Sequence, residues 1–147
     1  MPKTAGVFRR IAAAAIDSLI GSLFFFVPIF GGIFGIFYIL FKDAIMYRLT
    51  GYPEWQNKSI GKKLMSLKIV CQEKAIIDLE TSARRNVILI PGRVIGIIPL
   101  LGWVLGPIVG GFFKLIELLV LTSDPQGIRL GDRLADTKVV EDTAKNI

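Results

Sequence analysis

Residues 11–41 read IAAAAIDSLIGSLFFFVPIFGGIFGIFYILF, and in that stretch Asp17 is the one charged residue. As a single straight helix the stretch would be about 46 Å long, against roughly 30 Å of membrane hydrocarbon. Pro28 and the pair Gly31 and Gly32 place turn chemistry in its middle. The stretch therefore predicts a helical hairpin: one helix over about 7–27, a turn through PIFGG, and a second helix over about 32–49. The second helix has to run past Lys42 and Asp43, because ending at Phe41 would leave it only about 15 Å long.

A second apolar block, residues 86–122, behaves alike. It divides at PLLGWVLGP (99–107) into a third helix over about 83–98 and a fourth over about 105–122. The third is short and carries Pro91, which marks it as kinked or re-entrant. The expected fold is all-α: one polytopic membrane domain over 1–147, with two transmembrane hairpins and short cytoplasmic amphipathic segments at 50–82 and 123–147. Three spans with a re-entrant segment is the alternative. A soluble chain would spread its polar residues along its elements. Here 52% of the 147 residues are hydrophobic and they come in blocks, with a mean hydropathy of +0.58.

The net charge of +6 reads first as topology. Neither proposed turn holds a charge, whereas Lys and Arg cluster in the N-terminal tail, in 42–85 and after Thr122. By the positive-inside rule those regions, and both termini, face the cytoplasm of an inner membrane. Lys3, Arg9 and Arg10 before an apolar run imitate a secretory signal, but no small-residue cleavage site follows, so an uncleaved span is expected. The lone Cys71 excludes an internal disulfide, and without histidine the usual zinc constellations cannot form. Neither a metal nor a cofactor is expected. No nucleophile elbow and no phosphate-cradling glycine loop is present, so the chain does not read as an enzyme. Nucleic acid is not an expected partner, because orientation explains the positive charge.

Two segments align without a gap at an offset of 70: IGKKLMSLKIV (60–70) and LGDRLADTKVV (130–140). A tandem arginine, Arg9 and Arg10 or Arg84 and Arg85, precedes each hairpin. These describe a duplicated unit of arginine pair, hairpin and cytoplasmic Gly-basic-Leu segment, related by an axis along the membrane normal. The same residues resemble the RDD family of bacterial membrane proteins over nearly the whole chain. Arg10 and Asp17 fall on its first motif. Ser59, Ile60, Gly61, Lys62 and Lys63 fall on its central one, with Asn57 where glycine is usual. Arg85 and Asn86 match the pair opening the next span. Leu130, Gly131, Asp132, Leu134, Ala135, Thr137, Val139 and Val140 match the closing motif, with Gly131 where histidine and Asp136 where glycine is common. The resemblance implies at most a presumed transport role.

Charged residues inside spans are costly and face a bundle interior, in pairs. Asp17, Asp43, Arg93, Lys114 and Glu117 all fall in the cytoplasmic half and form the candidate ion or proton cluster. Lys114 and Glu117 are expected to pair along their helix, Asp17 to meet Arg93, and Lys42 to snorkel to the interface. Asp132 is expected to cap a short helix or to pair with Arg129 or an arginine of the tandem pairs, with a structural latch onto Arg10 or Arg85 preferred. Two functions follow: a monovalent-cation, proton or small-solute transporter built on the carboxylates, or a non-transporting accessory or assembly subunit. Partners are the bilayer with its anionic headgroups, and a second copy or another membrane protein bound through small-xxx-small glycine faces such as Gly92/Gly96 and Gly102/Gly106/Gly110. The Gly-basic-Leu segments are expected to lie on the cytoplasmic surface, with short strands at LKIV and TKVV as the alternative.

Overall fold

The computed structural model describes residues 3–24 and 30–143. It is mostly helical, in the order α1 (Val7–Leu23), α2 (Gly31–Thr50), α3 (Ile60–Leu64), β1 (Leu67–Cys71), α4 (Leu79–Asn86), α5 (Pro91–Gly96), α6 (Leu101–Ser123), α7 (Leu130–Leu134) and β2 (Thr137–Glu141). The expected turn at Pro28 lies outside the described residues. The second helix runs unbroken through Lys42 and Asp43, as its length demanded, and stops at Gly51, whose φ of 68° closes it in the left-handed region.

The second block is broken ahead of Pro91, where a kink is expected, and departs from expectation in its turn. No continuous helix covers 83–98: α4 ends at Asn86, one 3-10 turn follows over Val87–Leu89, and α5 restarts at Pro91. Proline has no amide hydrogen to give, so it begins a helix instead of continuing one. The turn before α6 lies at Ile97–Leu100, not across 99–107, and Pro107 sits inside α6 near its N-terminal end. Among the described residues α6 is the one helix long and apolar enough to cross a membrane. It packs on α5 through glycines. A Cβ at Gly92 would strike the backbone of Gly110, and one at Gly106 would come within 2.9 Å of the Gly92 carbonyl. These small-residue faces therefore serve contact within the chain.

The fold also contains a sheet, which an all-α reading lacks. Both Gly-basic-Leu segments form one short helix followed by one strand, and the strands pair antiparallel with Leu67 opposite Glu141, Ile69 opposite Val139 and Cys71 opposite Thr137. At the offset of 70, Ile69 and Val139 are equivalent positions, so the pairing has a local twofold at its centre. The linking residues match too: Ser66 (φ 54°) and Asp136 (φ 50°) both take the left-handed conformation. Aspartate tolerates that region better than most residues, which accounts for Asp136 where glycine is common. Under the sheet lies a small core of Ala5, Ala13, Ala44, Leu67, Ile69, Ile77 and Val139.

Candidate functional site

Each short helix rests on a longer one through its glycine. A Cβ on Gly61 would collide with the Ala13 carbonyl of α1, and one on Gly131 with the Arg85 carbonyl of α4. That approach aims each short helix's amino end at a carboxylate. In the first unit Gly61 N donates to Asp17 Oδ1 at 2.8 Å and the Ser59 hydroxyl to Asp17 Oδ2 at 2.6 Å. In the second, Gly131 N donates to Glu117 Oε1 at 2.8 Å. The repeat thus explains both acids: each accepts from the amino end of the short helix in its own Gly-basic-Leu segment. Gly61→Ala and Gly131→Ala are each expected to lower stability by about 1–3 kcal/mol through backbone overlap. Thermal melts in detergent test this, with Gly111→Ala as control because nothing lies within 4 Å of its Cβ position. Equal melts for all three would refute it.

From those caps the charges form one alternating chain. Asp17 meets Lys42 at 3.2 Å and Lys62 at 4.0 Å. Lys62 meets Asp43 at 2.6 Å, Asp43 meets Arg85 at 3.3 Å, and Arg85 meets Asp132 at 2.9 Å. Asp132 also receives Arg10 at 2.5 Å and Arg129 at 3.2 Å, and Arg129 reaches Glu117 at 3.4 Å. Arg10 and Arg85, the preferred latch partners of Asp132, both reach it, and so does Arg129, whose amide the carboxylate also caps. Arg85, Asp17, Asp43 and Asp132 are each 0% exposed. The Nε and Nη2 contacts of Arg85 are ion pairs without hydrogen-bond direction, while its Nη1 donates to Thr137 Oγ1 at 2.6 Å. Asn86 Nδ2 donates to Asp43 at 3.1 Å.

Every oxygen of the four carboxylates lies within hydrogen-bond or ion-pair distance of a donor, Glu117 Oε2 through the Arg129 ion pair alone and without a hydrogen bond. Asp17 and Glu117 are filled as described, Asp43 by Lys62, Asn86 and Arg85, and Asp132 by three arginines and the Arg129 amide. Burial alone would raise the Asp132 pKa, but Arg129, Arg85 and Arg10 outweigh it and hold the carboxyl below its ordinary range. Lys62 behaves oppositely: burial outweighs the attraction of Asp43 and pushes the amine down to about 8. Among the described residues no group of three or more His, Cys, Asp or Glu is placed to hold a metal.

Two expected pairings and one expected placement are corrected. Arg93 does not meet Asp17; its guanidinium donates to the carbonyls of Gly21 at 3.2 Å and Ser18 at 3.5 Å. Lys42 does not snorkel, being 3% exposed and taken by Asp17. Lys114 does not pair with Glu117, whose oxygens turn to Gly131 and Arg129. The reason is common to all three. The Gly-basic-Leu segments fold back onto the helices and bring backbone amides and cations closer than helical spacing alone can. Of the central motif, Lys63 points away, 3.7 Å over the Trp55 ring and 2.9 Å from Glu54. Sequence reasoning missed Ser59 as a ligand of Asp17, though a serine ahead of a helix is a recognisable cap. It missed Ser82 as well, whose hydroxyl donates to the Leu40 carbonyl and accepts from the Asp43 amide.

Beside the charge chain lies a cavity of about 360 Å3, bounded by α1, α6, α3 and the sheet.

The RDD family model matches residues 4–136. That is most of the chain, and the protein belongs to the RDD family of membrane proteins. No curated protein and no solved structure matches it.

Proposed function

We propose that this RDD-family protein is a multi-pass protein of the bacterial inner membrane that works as a non-transporting accessory or assembly subunit of a larger membrane complex. In this reading α1, α2, the broken α4–α5 stretch and α6 make four spans, and both termini lie in the cytoplasm. The observation that carries it is the saturation of the carboxylates. An ion site needs carboxylate oxygens left free for the ion, whereas a latch that locks cytoplasmic segments onto helices needs none. Buried pairs of this kind are well suited to fixing register. Exposed apolar faces on α2 (Ile33, Phe34, Phe37) and α6 (Val104, Ile108, Phe112) supply surface for lipid or a partner helix. No catalytic role is assigned to any residue.

Reconstituted in liposomes under Na⁺, K⁺ or Li⁺ gradients, the protein is expected to give proton flux no greater than empty vesicles. Affinity purification from native membranes is expected to bring down one larger membrane protein. Cation-driven flux abolished by Asp17→Asn would overturn the assignment.

One observation favours the transporter reading as second choice. The Lys62 amine stands between Asp43 and Asp17, lines the cavity, and is pushed down to about 8. A proton leaving it near neutral pH would release Asp43 from its strongest contact. That reading requires flux with a midpoint near pH 8, lost in Lys62→Gln.

A further inference from the structure

The cavity carries charge of one sign. Arg10, Lys42, Lys62, Lys114 and Arg129 line it, against the single carboxylate of Glu117, which Gly131 and Arg129 already occupy. Four of these cations belong to the charge chain. Lys114 does not: among the described residues no carboxylate pairs with it, and the charges acting on it are Arg93 and Lys42, both positive. Arg93 in turn meets carbonyl oxygens. Cations set into an apolar helix face normally find a counter-charge, and the described part of the chain provides none here.

The walls are apolar, with Ala14, Ala15, Leu118 and Leu121 among them. The mouth is open where Ile11 and Lys114 are exposed. α1 packs against α2 and α3, and α6 against α5, so the cavity fills the gap between the first and last long helices. Beside it the outer face of α6 presents Phe112, Leu115 and Leu119. We infer that this gap binds the phosphate of an anionic phospholipid, headgroup on Lys114, acyl chains along the apolar faces of α1 and α6. Free phosphate shares the charge chemistry but would leave the alanine and leucine walls uncovered, which favours the lipid. The inference is independent of whether the protein transports anything.

The test uses the purified full chain, delipidated in detergent, with added phosphatidylglycerol, phosphatidylcholine or inorganic phosphate. Retained lipid is counted by native mass spectrometry, and stability is followed by thermal melting. Phosphatidylglycerol is expected to bind and raise the melting temperature, and phosphatidylcholine to do neither. Lys114→Gln is expected to weaken phosphatidylglycerol binding about fivefold, the worth of one basic charge at a membrane surface. Lys114→Arg is expected to retain binding, which separates loss of charge from loss of fold. Leu118→Glu, which sets a carboxylate into the wall, is expected to abolish binding. Equal binding of the two lipids, or Lys114→Gln binding as the parent does, overturns the inference. Stabilisation by inorganic phosphate equal to that by phosphatidylglycerol overturns the lipid assignment.

Discussion

Arg85→Met is expected to prevent recovery of a folded protein. Arg85 is fully buried and joins two carboxylates on different elements, Asp43 of α2 and Asp132 of α7. It also donates to Thr137 at the start of β2. Removing it leaves Asp43 with one cation and strips the hinge between the two units. Breaking a buried pair by deleting one partner costs about 3–5 kcal/mol, because the other charge stays desolvated. Size exclusion in detergent should show aggregate in place of a monodisperse peak. Arg85→Lys should recover part of the loss, since an ammonium satisfies one carboxylate but cannot fork to two. Adding Asp43→Asn to Arg85→Met should recover part as well, because it removes the charge left behind. A single variant melting within a few degrees of the parent would show that the chain of charges is dispensable.

Asp17→Ala is the second severe change. The carboxylate is the acceptor for the Ser59 hydroxyl and the Gly61 amide and the counter-ion of Lys42. Alanine strands all three in a buried place, for a loss again of about 3–5 kcal/mol. Asn keeps an acceptor for the Gly61 amide and turns a donor toward the Ser59 oxygen while giving up the charge, so it should be the milder variant, with a loss nearer the roughly 1.5–3 kcal/mol of a hydrogen bond to a charged group. Trypsin reports the local consequence: once α3 loosens from α1, cleavage at Lys58, Lys62 and Lys63 should outpace global unfolding. Identical behaviour of Ala and Asn would mean that charge alone matters and the cap does not. Unchanged protection in both would mean that α3 is held by other contacts.

The α2 boundary was legible because length forced it past Lys42 and Asp43. The repeat was legible because its Gly-basic-Leu pattern recurs at one offset, and the pairing of Asp132 with Arg10 and Arg85 because each belongs to the arginine pair ahead of a hairpin. The partners of Asp17 were not legible. Helical spacing tells which face a side chain shares on its own helix, but not that a serine and an amide over forty residues later arrive at its oxygens. The turn before α6 was legible at one end only. Reading turns from glycine and proline pointed to 99–107, and the chain does reverse at Pro99 and Leu100, the latter taking φ 62° without being glycine. The helix then restarts at Leu101 and holds Gly102, Gly106 and Pro107 inside it, where packing on α5 overrides their local preference.

The twofold strand pairing carries a consequence for assembly. Two halves descended from one ancestor, if still identical, would join a twin from another molecule as readily as their own sibling. At equivalent places the first half now holds Lys62 and the second Asp132, and Asp132 reaches across to Arg10 of the first half. A first half meeting its own like would set Lys62 against that arginine, cation against cation, where the true partner sets an acid. Divergence at this one position thus makes the molecule close upon itself, and discourages halves of neighbouring molecules from exchanging places.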